Sequence, residues 1–228
     1  MRSRTVAIGT SVAVLGAIMV AMVSWSTDAP VPLGEFVPEA DRRIVLHGVG
    51  WAGYQALLAL RGERGSPRIA YLDGAVELMG ASRKHESIKS NIGRLVEAYC
   101  TEHGIDWSPY GHWLLDDESE DAGAEPDECY IFGPDPKSKE IPDLVIEVIW
   151  TSGGINKREI YRRLGIREAW FWKRDVLAVF VLEGDQYIER DESECVPGID
   201  LALLCRLAAV APTSAAVAEL REILRAAK

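Results

Sequence analysis

The chain has 228 residues, of which 48% are hydrophobic and 26% charged, a composition that fits one ordinary globular domain with room for extensions and argues against extensive disorder. Its net charge of −10 excludes a general nucleic-acid coating protein, whose affinity would come from surplus Lys and Arg, but allows an enzyme with a local basic groove. Cysteines at 100, 129, 195 and 205 show no CxxC spacing and no histidine at a zinc-ligand interval, so they read as reduced, partly buried thiols.

Residues 6–25, "VAIGTSVAVLGAIMVAMVSW", carry no charge and follow Arg2 and Arg4. Taken as written, they resemble a signal anchor or an uncleaved signal peptide, which would carry the folded domain out of the cytoplasm. Met19 and Met22 offer internal starts, and a start at Met22 would remove the anchor and leave a cytoplasmic protein. The functional reading below favours the cytoplasmic alternative. The expected organisation is a hydrophobic segment over residues 1–27, a Pro-containing linker over 28–40, one domain over 41–200, and a C-terminal helical extension over 201–228.

Within the domain, "WAGYQALLAL" (51–60) places Tyr54, Leu57 and Leu58 on one helix face. "RIAYLDGAVELMG" (68–80) predicts a hairpin through an Asp73-Gly74 type I′ turn. The next helix is predicted to start at an N-cap, Ser82, to bury Ile88, Ile92, Leu95, Val96 and Tyr99, and to stop at Gly104. His85 falls on its inward face. "GIDWSPYGHWLL" (104–115) suggests a strand, and "DDESEDAGAEPDE" (116–128) a solvated acidic loop. Strands are expected at 126–132 and 141–150, then a compact helix in "NKREIYRRLG" (156–165) closed by Gly165. "EAWFWK", "VLAVFVLEG" and "QYIER" read as three short strands with a hairpin among them, and a helix from about residue 213 to 227 ends the chain. The alternation predicts an α/β domain, a mixed β-sheet flanked by helices.

The strand "LVIEV" raises a chemical question. Side chains alternate, so Leu144, Ile146 and Val148 face one way, and Val145, Glu147 and Ile149 the other. A bare carboxylate amid Ile and Val costs several kcal/mol, roughly, so Glu147 needs a compensating partner, proton or metal. Asp127 opens the preceding strand, and two carboxylates on neighbouring strands suit a hard divalent cation that keeps waters or phosphate oxygens. Lys157, at the start of the next helix, could reach back to orient a water or stabilise charge on a phosphate. Read singly, Asp127 only begins a strand after a turn, and Lys157 only belongs to a solvated helix face.

Taken together, Pro126-Asp127, the acidic Glu147 on the next strand and the nearby Lys157 resemble the PD-(D/E)XK nuclease superfamily. More closely, the chain is similar to the bacterial Uma family of restriction-endonuclease candidates. It carries Leu72-Asp73-Gly74-Ala75-Val76-Glu77, then His85 leading its helix, Pro126-Asp127, Pro142 through Val148, Lys157, Tyr161, Gly165 and Ile166, and Glu168-Ala169-Trp170. The likeness spans about residues 45 to 190. The superfamily's usual lysine position, two residues after the acid, holds Ile149; the Uma-like pattern moves the lysine to Lys157. What the resemblance implies is a restriction-endonuclease-like fold and cleavage of DNA with Mg²⁺ or Mn²⁺. Asp127 and Glu147 would hold the metal and Lys157 would position the water. Glu77 and His85 would be accessory, and Arg158, Arg162 and Arg163 would track the DNA backbone. A homodimer is compatible with cutting both strands. The alternative is a non-catalytic module that keeps the fold and binds nucleic acid or protein, membrane-anchored if residues 6–25 are an anchor.

Overall fold

The computed structural model describes residues 40–149 and 154–227. The expected hydrophobic segment and nearly all of the linker lie outside the described residues. Among the described residues, no helix is long and apolar enough to cross a membrane. The elements run β1 (Arg42–His47), α1 (Trp51–Arg61), β2 (Arg68–Leu72), β3 (Ala75–Gly80), α2 (Arg83–His103), β4 (Trp107–Pro109), β5 (Leu115–Asp117), β6 (Ala122–Ala124), β7 (Glu128–Phe132), β8 (Leu144–Val148), α3 (Lys157–Arg163), β9 (Glu168–Lys173), β10 (Val176–Glu183), β11 (Gln186–Arg190), α4 (Leu201–Ala208) and α5 (Thr213–Ala226).

The local signals act where they were read. Asp73 and Gly74 take φ of 47° and 76°, the paired positive values a type I′ turn needs, and Leu72 pairs with Ala75 across it. The Ser82 hydroxyl accepts from His85 N at 3.2 Å, and Gly104 closes α2 with φ 68°. Asn156 caps α3 by accepting from Glu159 N.

The expected α/β class with a mixed sheet flanked by helices is what the chain adopts, but the strands divide into two sheets. One is antiparallel throughout, in the order β1-β3-β2-β6-β5; the other is mixed, β11-β10-β9-β8-β7-β4, with β8 and β9 parallel. Among the described residues, alternation within each strand then makes three apolar cores. Tyr54 and Leu58 of α1 cover Ile69, Tyr71 and Val76 on the outer face of the first sheet. Leu144, Ile146 and Val148 of β8 and Trp170 and Trp172 of β9 meet α2, α4 and α5 on one face of the second sheet. On its other face, Val145, Ala169 and Phe171 pack with α3 and with Ala70 and Ala122 of the first sheet. The candidate catalytic side chains belong to this middle layer.

The acidic stretch 116–128 is not the solvated loop its charge suggested. It contributes to a hairpin, β5 paired with β6, because Leu115, Ala122 and Ala124 are buried while Asp116 and Asp117 stay exposed. Gly123 is required there: a Cβ would stand 2.5 Å from the Tyr54 hydroxyl. The strand expected over 104–115 shrinks to three residues before a turn. β1 had no clear sequence signal, because it is a mostly exposed edge strand. α4 lies within residues 201–228, expected to be helical, but ahead of the single helix read from about residue 213.

Candidate active site

Asp127 and Glu147 reach the middle layer from neighbouring strands. β7 and β8 are antiparallel with Glu128 opposite Ile146 and Cys129 opposite Val145, a register that carries Asp127 opposite Glu147 and onto the same face. Both carboxylates are buried, Asp127 at 0% and Glu147 at 3% exposure, so their partners decide whether the arrangement is stable.

Glu147 has two. Lys157 Nζ donates to Oε2 at 2.7 Å, and the Tyr161 hydroxyl donates to Oε1 in a short hydrogen bond. Lys157 and Tyr161 are four residues apart on α3 and therefore project from one helix face. Burial and the facing Glu147 push the Tyr161 phenol well above its ordinary range, in keeping with its role as the donor. The charged residue in the middle of the buried strand is thus compensated by a lysine and a phenol.

Asp127 is held differently. Oδ2 accepts from Val148 N at 2.6 Å. Arg68 Nη1 and His85 Nε2 both press on Oδ1, the histidine at 3.1 Å, but none of these three buried atoms completes a well-formed hydrogen bond. The other ring nitrogen of His85 lies 3.1 Å from Asp41 Oδ2, and Asp41 Oδ1 accepts from Ser82 N, which pins the head of α2. Those bonds to His85 and Ser82 outweigh the burial of Asp41 and hold its carboxyl below the ordinary range.

Glu77 enters from the first sheet. Alternation along β3 sends Val76 outward to α1 and Glu77 inward, 2% exposed, where Oε2 accepts from Ile155 N at 3.1 Å and pairs with Arg43 Nε at 3.2 Å. Burial pushes its carboxyl above the usual carboxylate range, opposed by Lys157 and Arg43 and reinforced by Glu147. Gly154, with φ 120°, runs so close that a Cβ would meet Glu77 Oε2 at 2.0 Å. A cavity of about 550 Å³ opens here, lined by Glu77, Glu147, Lys157, Arg158 and the rings of Phe171 and Phe180.

The expected five-residue set therefore converges in part. Glu77, Glu147 and Lys157 line one cavity; Asp127 sits behind Glu147 on the same sheet face; His85 touches Asp127. The expected basic patch divides. Arg158 lines the cavity, its guanidinium 4.7 Å above the Phe180 ring. Arg162 is engaged by Glu159 and Asp185, and Arg163 by Glu159 and Asp73, so α3 presents them as ion-paired surface rather than as a free phosphate-tracking row. Tyr161, Arg68, Asp41 and Arg43 were given no role from the sequence. Tyr161 had a signal, its i+4 spacing from Lys157. The other three had none, because the groups they meet, Glu77 for Arg43, His85 for Asp41 and Asp127 for Arg68, are far away in the chain.

Among the described residues, no group of three or more His, Cys, Asp or Glu side chains is arranged to hold a metal. A cation that keeps several waters needs only one or two carboxylates, and Asp127 Oδ1 is a buried oxygen without a completed hydrogen bond. The donor chemistry of Asp127 and Glu147 fits such an ion, with Arg68 as the positive group it would displace or accompany.

A family profile described as "Putative restriction endonuclease", Uma2, matches residues 51–204. The chain belongs to the Uma2 family. The match runs from α1 to α4 and so includes every strand from β2 to β11. Among solved structures, the Uma2 chain is similar to one from Anabaena variabilis titled a "putative nuclease", with 16% identity, 59% of this chain and 82% of the other covered, and a TM-score of 0.43. No curated protein matches it.

Proposed function

We propose that this Uma2 protein is a DNA endonuclease that hydrolyses phosphodiester bonds with a divalent cation, Mg²⁺ or Mn²⁺. The observation that carries the reading is the Lys157–Glu147 pair on the wall of an open cavity, with Asp127 across the strand boundary. Asp127 and Glu147 would hold the ion, which when bound supplies charge to a phosphate oxygen and acidifies water. The protein's own groups do the rest. Tyr161 and Lys157 fix both oxygens of Glu147, so the carboxylate needs no reorganisation. The Lys157 ammonium, positioned at the cavity, orients an attacking water and stabilises charge that builds on the phosphate. His85 and Arg68 hold Asp127 in place, and Glu77 keeps Arg43 and the backbone of Ile155 against the cavity.

The test is conversion of supercoiled plasmid by the full chain. Nicked or linear product is expected with Mg²⁺ and none with EDTA. Glu147→Gln and Lys157→Ala are each expected to slow conversion by about 100-fold or more. One observation favours a second reading, a non-catalytic module of the same fold: both oxygens of Asp127 already have protein partners. DNA left intact by a folded protein under every metal condition would decide for that reading.

A further inference from the structure

The second sheet continues the cavity beyond the carboxylates. Glu147 lies beside Phe171 across β8 and β9, and Phe171 beside Ala178 across β9 and β10, so the three form one cross-strand row on the middle-layer face. Phe180 stands one step along β10 on the same face, and Lys173 one step along β9. Ala178 is the small member between two phenylalanines and leaves a hollow there. Phe171 and Phe180 meet edge to face at 73° with centroids 5.8 Å apart; both line the cavity, and the Arg158 guanidinium lies over the Phe180 ring. The cations beside the hollow are exposed. Among the described residues, neither Arg158 nor Lys173 has a carboxylate partner, unlike Arg162, Arg163 and Arg167 on the neighbouring surface. Aromatic floor, apolar walls and two positive charges at the rim that no carboxylate neutralises are the chemistry of a nucleotide: a flat base with an anion on either side. The volume, about 550 Å³, suits a single small ligand and admits no paired duplex.

We propose that this hollow takes one unstacked nucleobase of single-stranded or frayed DNA, with Lys173 and Arg158 meeting the phosphates that flank it. A base inside an intact duplex cannot enter without leaving its stack, so the site selects unpaired DNA over duplex. The inference rests on the proposed nuclease reading in one respect, that Glu147 and Lys157 mark the phosphate to be attacked.

The test is equilibrium binding of the full chain, in EDTA, to a fluorescein-labelled oligothymidylate, to the same strand paired in a blunt duplex, and to an equally long strand of abasic deoxyribose phosphates. Tighter binding of the base-bearing single strand than of either other probe is expected. Ala178→Trp fills the hollow without removing core volume, and Phe180→Leu keeps an apolar side chain in the sheet but removes the ring. Each is expected to weaken the single strand by about tenfold or more and to leave the abasic probe unchanged. Equal affinity for the three probes, or single-strand binding indifferent to Ala178→Trp, overturns the proposal. The plasmid assay separates the two readings. Cleavage without cavity-dependent binding sinks the base site alone. Cavity-dependent binding without cleavage sinks the nuclease alone.

Discussion

Glu147 shows how one side chain organises its surroundings. A carboxylate in the centre of an apolar strand is tolerated because Lys157 and Tyr161 divide its two oxygens between them. The lysine supplies charge and the phenol supplies direction. Removing the phenol oxygen leaves Oε1 buried with one donor fewer, which costs about 1–3 kcal/mol. Tyr161→Phe is therefore expected to lower the melting temperature modestly and to slow plasmid conversion without weakening binding of oligonucleotides. Melting curves and a cleavage time course at saturating DNA check it. A drop in DNA affinity with unchanged turnover would show that Tyr161 shapes the cavity and not the carboxylate. Glu168 makes the contrast. It is as deeply buried, but Trp170 Nε1, the Ser193 hydroxyl and the amides of Glu194 and Cys195 satisfy it completely, so it ties β9 to the loop after β11 and offers no oxygen to a ligand.

At the scale of elements, α3 carries much of the chemistry in two turns. Its inner face presents Lys157, Ile160 and Tyr161, and its outer face the Glu159–Arg162–Arg163 cluster. The hydrogen bonds from Arg162 and Arg163 hold the Glu159 carboxyl down to about 2, from an ordinary 4.5. A carboxyl lowered on folding stabilises the fold in its charged form. The contribution is complete above pH 4.5 and disappears as pH falls toward 2. Glu159→Gln is expected to flatten the acid limb of the stability curve in that window and to change little near neutrality; melting temperature against pH measures it. An unchanged acid limb would mean that these exposed pairs are screened by solvent. The helix itself was legible, since Asn156 caps it and Gly165 ends it. The hairpin β5–β6 was not, because its acidic composition reads as solvated loop. Leu115, Ala122 and Ala124 become buried only when α3 and the second sheet arrive to cover them.

The whole molecule places the candidate centre between two sheets. Arg43, Arg68 and Glu77 come from the first, Asp127 and Glu147 from the second, and Lys157 and Tyr161 from the helix between them. A cation bound at Asp127 and Glu147 would count as folding energy, because the unfolded chain has no such pair. Free Mg²⁺ at about 100 times its dissociation constant is expected to add about 2.7 kcal/mol of stability, read as a rise in melting temperature, and Glu147→Gln is expected to abolish the rise. A rise that survives that substitution would move the ion elsewhere.

By itself, the amino-acid order determined the parts with short-range causes: the Asp73-Gly74 turn, the capped α2, the alternation that turned Glu147 away from Val148, and the spacing that put Lys157 within reach. These are set by backbone sterics and by periods of two and 3.6 residues. It could not determine the partition into two sheets, the pairing of Arg68 and His85 with Asp127, the neutralisation of Arg162 and Arg163, or the aromatic hollow beside Glu147. Each of those depends on groups far apart in the chain, and only desolvation between packed layers decides which charges must meet and which remain free.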